Sequence, residues 1–137
     1  MKLRTFRDAA KNKIRDEAHT LDFESAVSYR KKIYLGKLAL YYRQGLFWYA
    51  IPYSYLDRVY KSVEFAPADN SPPYEYYRIY LSHDGVPFAD IMFGESFEKN
   101  IRALKEANAL LEAIHAAHPE IALGYPDEPS GSPEKAE

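Results

Sequence analysis

Leu3, Phe6, Ala10 and Ile14 recur at steps of three and four residues, which predicts a helix over residues 3–18 with these four on one face. Lys11, Lys13 and Arg15 fall elsewhere on its surface. Thr20 to Lys32 reads two ways: Thr20 or Asp22 caps a second helix through Arg30, or the segment is a loop. From Ile33 the pattern becomes extended. Ile33 to Arg43, rich in Tyr and Leu, predicts a strand, Gln44-Gly45 a turn, and Leu46 to Ile51 a second strand. Pro52 has no N–H for a ladder, so it ends that strand or sits at an edge. Along Leu56 to Phe65, Val59, Lys61, Val63 and Phe65 alternate with Arg58, Tyr60, Ser62 and Glu64, a third strand.

Ala66 to Pro73 has the composition of a loop. Tyr74 to Leu81 follows as a strand, and Asp84-Gly85 predicts a tight hairpin whose two central residues take positive φ. Val86 to Phe93 returns as a fifth strand, with Pro87 suggesting an edge position. Ser96 is the expected cap of a long helix, with Glu98 favourable in its first turn. Phe97, Ile101, Leu104, Ala107, Leu110, Leu111 and Ile114 form its apolar stripe. The helix should stop by His118, because the residue before Pro119 avoids the α region. Ile121 to Tyr125 is expected to pack back onto the sheet, and the tail from Pro126 reads as disordered.

The fold class is therefore α+β: an N-terminal helix, an antiparallel sheet or partly open barrel of about five or more strands, and a long C-terminal helix. Strands and helices do not alternate as a parallel sheet requires. The expected organisation is a helical extension over residues 1–32, one domain over 33–125 and a tail over 126–137.

The stretch Ile33-Tyr-Leu-Gly-Lys-Leu-Ala-Leu-Tyr-Tyr, followed by Trp48-Tyr-Ala-Ile-Pro-Tyr-Ser-Tyr-Leu-Asp-Arg-Val-Tyr, resembles the opening strands of small bacterial pleckstrin-homology-like domains. In those a strand ends at an Ile-Pro-Tyr-like corner and the next begins a few residues later. The resemblance spans roughly residues 33–118 and implies a sheet closed by a C-terminal helix. Lipid-binding members of that fold carry a basic cluster near the first loop between strands. Here only Arg43 and Lys37 stand near it, and the single tryptophan, Trp48, lies on a strand rather than in the last helix. The resemblance thus implies the scaffold without phosphoinositide binding, and the fold alone carries no function.

At 137 residues the chain fits one domain that needs neither disulfides nor metal for a core. It has no cysteine, which excludes disulfide and thiolate chemistry and suits a reducing compartment. The opening Met-Lys-Leu-Arg-Thr-Phe-Arg has no apolar run of the secretory kind, so a cytoplasmic location is expected. The net charge of −2 argues against a general nucleic-acid binder. That charge is uneven: residues 1–37 carry ten Lys or Arg against five acidic residues, whereas residues 98–137 carry four against eight.

Three constellations invite a chemical reading. Glu112, His115 and His118 are spaced by three residues, as ligands on one helix face would be. No fourth ligand is near in sequence, and histidines at a helix C-terminus are favoured by its dipole. Ser96-Phe-Glu-Lys99 matches a serine acylase pattern, but Ser96 is better explained as the helix cap. His83 beside Asp84 suggests a base and its orienting carboxylate, but a His-Asp-Gly hairpin tip usually faces solvent. No metal, cofactor or catalytic residue is assigned.

Tyrosine is the distinctive feature. Twelve of the thirteen lie between Tyr29 and Tyr80. On the strand from Tyr74 to Leu81, alternation places Tyr77, Ile79 and Leu81 on a core face and Tyr76, Arg78 and Tyr80 on the other. Tyr, Trp and Arg dominate interface hot spots, so Tyr76, Arg78 and Tyr80, with Trp48 as a neighbour, are the candidate binding residues. The structural alternative is that tyrosine suits a half-buried strand that the N-terminal helix covers. The function expected is a non-catalytic module for a protein or peptide partner, or for a second copy of the chain. The alternatives are a small-molecule or enzymatic site with a Tyr- and Trp-lined pocket, and membrane attachment through the basic N-terminal helix, which its few apolar anchors argue against.

Overall fold

Asp8 sets the course of the N-terminal segment. Its Oδ1 accepts from the backbone N–H groups of Ala10 and Asn12, both at 2.9 Å. Lys11 takes a φ of 70°. These features make a turn inside the stretch predicted as helix, because a short polar side chain competes for the amides a helix would use. The helix over residues 3–18 does not form. Instead β1 (Phe6–Arg7) pairs antiparallel with β2 (Lys13–Ile14). The first helix, α1 (Glu17–Glu24), starts later, where Asp16 Oδ1 accepts from His19 N at 2.8 Å. Thr20 and Asp22 lie within it and cap nothing. It ends at Ser25, short of Arg30, and β3 (Val27–Tyr29) turns antiparallel into β4 (Ile33–Leu35). The computed structural model describes residues 1–68, 71–94 and 100–124.

The single strand expected over Ile33–Arg43 is two, β4 and β5 (Ala39–Gln44). The break has a tertiary cause. Asp22 Oδ1 accepts from Lys37 N at 2.7 Å and its Oδ2 from Leu38 N at 3.0 Å, which pulls the chain out of the ladder at residues 36–38. The turn at Gly45 then returns β6 (Phe47–Pro52), which ends at the proline as expected. The strand order of this six-stranded sheet is β2-β1-β6-β5-β4-β3, antiparallel except where β1 runs parallel to β6. Phe6, Phe23, Ala39, Tyr41 and Ala50 form the core on one face, with Ile14, Tyr34 and Trp48 packed around it.

β7 (Arg58–Ala68), β8 (Ser71–His83) and β9 (Val86–Phe93) form the antiparallel meander that the alternation predicts. The described residues 66–68 and 71–73 belong to the two strands rather than to a loop. Register passes from Ala66↔Tyr74 to Ala68↔Ser71, so Pro67, Pro72 and Pro73 fall in the irregularity between, where a missing N–H is tolerated. Asp84 and Gly85, with φ of 52° and 77°, make the expected tight turn. α2 (Ile101–Ala117) buries Ala103, Ala107, Leu110 and Ile114 and packs on β7, β8 and β9. Ile101, assigned to that stripe, is exposed. At about 100° per residue it sits roughly 150° from the centre of the buried set. The helix stops at His118 before Pro119, and β10 (Ala122–Leu123) returns to pair in parallel with β7. Ser96, Phe97, Glu98, Lys99, Tyr125 and the tail over 126–137 lie outside the described residues.

The architecture is α+β with two sheets, the second ordered β10-β7-β8-β9. No closed barrel is found among the described residues, because the ten strands divide between two separate ladders. The compact units are Met1–Tyr55 and Leu56–Glu137, so the first 32 residues contribute strands and a helix to the first unit and are not a helical extension. No helix among the described residues is long and apolar enough to cross a membrane.

Candidate functional site

The register of the second sheet places three predicted residues side by side. Tyr60 faces Tyr80, Ser62 faces Arg78 and Glu64 faces Tyr76, while Arg78 and Tyr80 also face Met92 and Asp90 on β9. Tyr77, Ile79 and Leu81 turn to the opposite face and are buried, as the alternation predicts. Tyr76, Arg78 and Tyr80 are half-buried.

Arg78 links three strands. Its Nε donates to Glu64 Oε1 at 3.2 Å, and its Nη1 donates to Asp90 Oδ2. Its guanidinium carbon lies 5.6 Å from the centroid of the Tyr76 ring. Tyr80 donates to Glu64 Oε2 at 3.2 Å and stacks on Tyr60, ring centroids 5.0 Å apart. Burial opposes ionisation of Glu64, but hydrogen bonds from Tyr76, Arg78 and Tyr80 and the Arg78 charge outweigh it and hold the carboxyl below its usual range. The Tyr76 hydroxyl, against some burial, and then the Asp90 and Glu64 carboxylates hold the Arg78 proton more firmly than usual. The guanidinium is thus already engaged by two carboxylates of its own sheet.

Trp48 belongs to the other unit. It meets Phe23 and Tyr34 edge-on, with centroids 5.0 and 5.6 Å away. Beside it opens a cavity of about 430 Å³ lined by the N-terminal segment from Lys2 to Phe6 and by Glu24. That segment is held to α1 by a hydrogen bond from Arg4 N to Thr20 Oγ1 at 3.0 Å. The Arg4 guanidinium lies 4.7 Å from the Phe23 ring centroid and 3.8 Å from Glu24.

The remaining candidates are placed as follows. His83 Nε2 lies 3.4 Å from Asp84 at the hairpin tip. The neighbouring Ser82 hydroxyl is buried and donates to Asp57 at 2.9 Å, so it does not supply a nucleophile there. His118 pairs with Glu120 at 3.5 Å, whereas Glu112 and His115 are exposed. Among the described residues no three His, Asp or Glu side chains converge as metal ligands.

Lys2, Arg4 and Glu24 were missed as a group because a helix was predicted over residues 3–18, where the chain instead makes a hairpin. The signals against that helix were Asp8 and Asn12 flanking Ala9-Ala10-Lys11, and Asp16 as a later cap. Compared with models of protein families, with curated proteins and with solved structures, the chain matches none.

Proposed function

We propose that the chain is a non-catalytic interaction module that binds an extended protein or peptide segment by strand addition to β9. The observation that supports this reading is the edge itself. β9 is eight residues long and ends its sheet. Natural edges are blunted by Lys, Pro or bulges. Here Pro87 and the irregularity opposite Leu81 and Ser82 protect only the start of the strand. Ala89-Asp-Ile-Met-Phe93 continues in regular register with no Pro, Lys or Arg. A sheet edge of this kind is where a partner strand adds by main-chain hydrogen bonds, with alternate side chains supplying selectivity. An added strand lies next to Asp90 and Met92 and extends the face of Tyr76, Arg78 and Tyr80. A pleckstrin-homology-like scaffold and a cytoplasmic location belong to the same proposal, and a second copy adding at this edge gives a homo-oligomer.

The test is selection of peptides from a displayed random library, followed by amide hydrogen exchange of the complex. Slowed exchange at Ala89–Phe93, and loss of binding in Met92→Lys with the fold retained, are the expected results. Binding that slows exchange only elsewhere, or no selected peptide, counts against the proposal.

A second reading, small-molecule binding, is favoured by the cavity beside Trp48, whose volume falls within the ordinary range for ligand pockets.

A further inference from the structure

We infer that the Trp48 cavity takes a small amphipathic anion: a flat apolar body with one carboxylate, sulfonate or phosphate group. The inference rests on the small-molecule reading and names the ligand class. The apolar wall comes from Leu3, Phe6 and Trp48, with Trp48 held edge-on by Phe23 and Tyr34. A rigid aromatic wall suits a flat ligand and loses little side-chain freedom on binding. The Trp48 indole N–H makes no hydrogen bond among the described residues, so it is a donor available to a ligand acceptor.

Charge selects the sign. The lining holds two cations, Lys2 and Arg4, and one carboxylate, Glu24. Lys2 has no ion pair among the described residues. The Arg4–Glu24 pair is long, 3.8 Å, and its side chains are about half exposed, so it costs little to exchange Glu24 for a better-placed anion. The Phe23 ring under Arg4 and the Arg4 N–H bond to Thr20 keep that cation at the rim. A cation in the same place would meet two like charges and one opposite.

The experiment uses the full chain and its one tryptophan as the reporter. Quenching of Trp48 emission is titrated with 8-anilinonaphthalene-1-sulfonate and with N-phenyl-1-naphthylamine, the same body without the sulfonate. Saturable quenching is expected with the sulfonate, at least about fivefold tighter than with the neutral probe. Lys2→Gln and Arg4→Gln should each weaken the sulfonate about threefold and leave the neutral probe unchanged. Lys105→Gln, on the exposed side of α2, removes the same charge elsewhere and should change neither. Equal affinity for both probes leaves the cavity reading standing and overturns the anion. Saturable quenching by neither probe overturns both. Weakening by Lys105→Gln as large as by Lys2→Gln assigns the preference to overall charge and overturns the site. Lys2→Gln keeps the test decisive if Arg4→Gln disturbs the fold, because Lys2 is exposed and has no ion pair among the described residues.

Discussion

The Tyr41 hydroxyl donates to Asp22 Oδ2 at 2.6 Å, joining the middle of β5 to α1 inside the first unit. The same carboxylate accepts the Lys37 and Leu38 amides, so one buried side chain serves a helix, a strand and a turn. A carboxyl group that far from water is tolerated only when its oxygens are used by donors, as these are. Gly36 completes the arrangement, since a Cβ there would run into the Asp22 carboxylate.

Asp22→Ala leaves a buried hydroxyl and two amides without their acceptor, and should destabilise the chain by roughly 3 kcal/mol or more. Asp22→Asn should cost less, because one oxygen remains. Gly36→Ala should cost about 1–3 kcal/mol through overpacking against the carboxylate. Urea unfolding of the three variants beside the parent ranks them. A Gly36→Ala variant as stable as the parent would show that the turn yields.

Arg78→Ala leaves Glu64 and Asp90 facing each other across β8. The three side chains are a quarter to two-fifths exposed, so solvent moderates the loss to about 1–2 kcal/mol. Arg78→Glu should lose more, by gathering three carboxylates. Chemical denaturation at neutral pH measures both, and lowering the pH should narrow the gap to the parent as the carboxylates take protons.

The pH dependence has a definite sign at Glu64. Its folded pKa lies below the unfolded value, despite burial, because Tyr76, Arg78 and Tyr80 favour the carboxylate. Its contribution is complete above about pH 4.3, the ordinary glutamate value, and is lost as pH falls through the lower folded value. Asp16, whose carboxyl accepts the His19 amide, and Asp57, partly buried but bound to Gly85 and Ser82, are shifted the same way. The urea midpoint should therefore fall between about pH 4.5 and pH 3, and Glu64→Gln should reduce that slope. A slope identical in parent and variant would remove Glu64 from the account.

Gly85→Ala tests conformation alone. The residue holds φ +77° with no atom within 4 Å of the place a Cβ would take, so no clash contributes. About 1–2 kcal/mol should be lost, from the backbone preference of L-residues. Gly36→Ala differs, since there the cost is contact rather than φ. Thermal unfolding of the two variants separates the causes.

The second unit was legible because its signals are local. Alternation along Leu56–Phe65 predicted a strand and along Tyr77–Leu81 also its core face, Asp84-Gly85 carried its own turn chemistry, and Pro119 stopped α2. The first unit was not. Leu3, Phe6, Ala10 and Ile14 fit a helical period, yet Phe6 packs against the Phe23 and Tyr41 rings, 5.6 and 5.0 Å away, as part of a strand. Of the candidate binding residues, the sequence placed Tyr76, Arg78 and Tyr80 together, and the register agrees. It grouped Trp48 with them only by residue type, and Trp48 stands in the other unit.

The amino-acid order by itself determined the α+β class, the three-stranded meander with its tight turn, and the stop of the last helix. Each rests on neighbours within a few positions, where side-chain period and backbone preference act. Tertiary structure alone decided the N-terminal hairpin, the break between β4 and β5, the division into two sheets, and the cavity that gathers Lys2, Arg4, Glu24 and Trp48. Those depend on contacts across tens of residues, such as Asp22 with Leu38 or Arg4 with Thr20, whose strength follows from burial. No pattern of neighbouring residues announces such distant pairings before the chain has closed on itself.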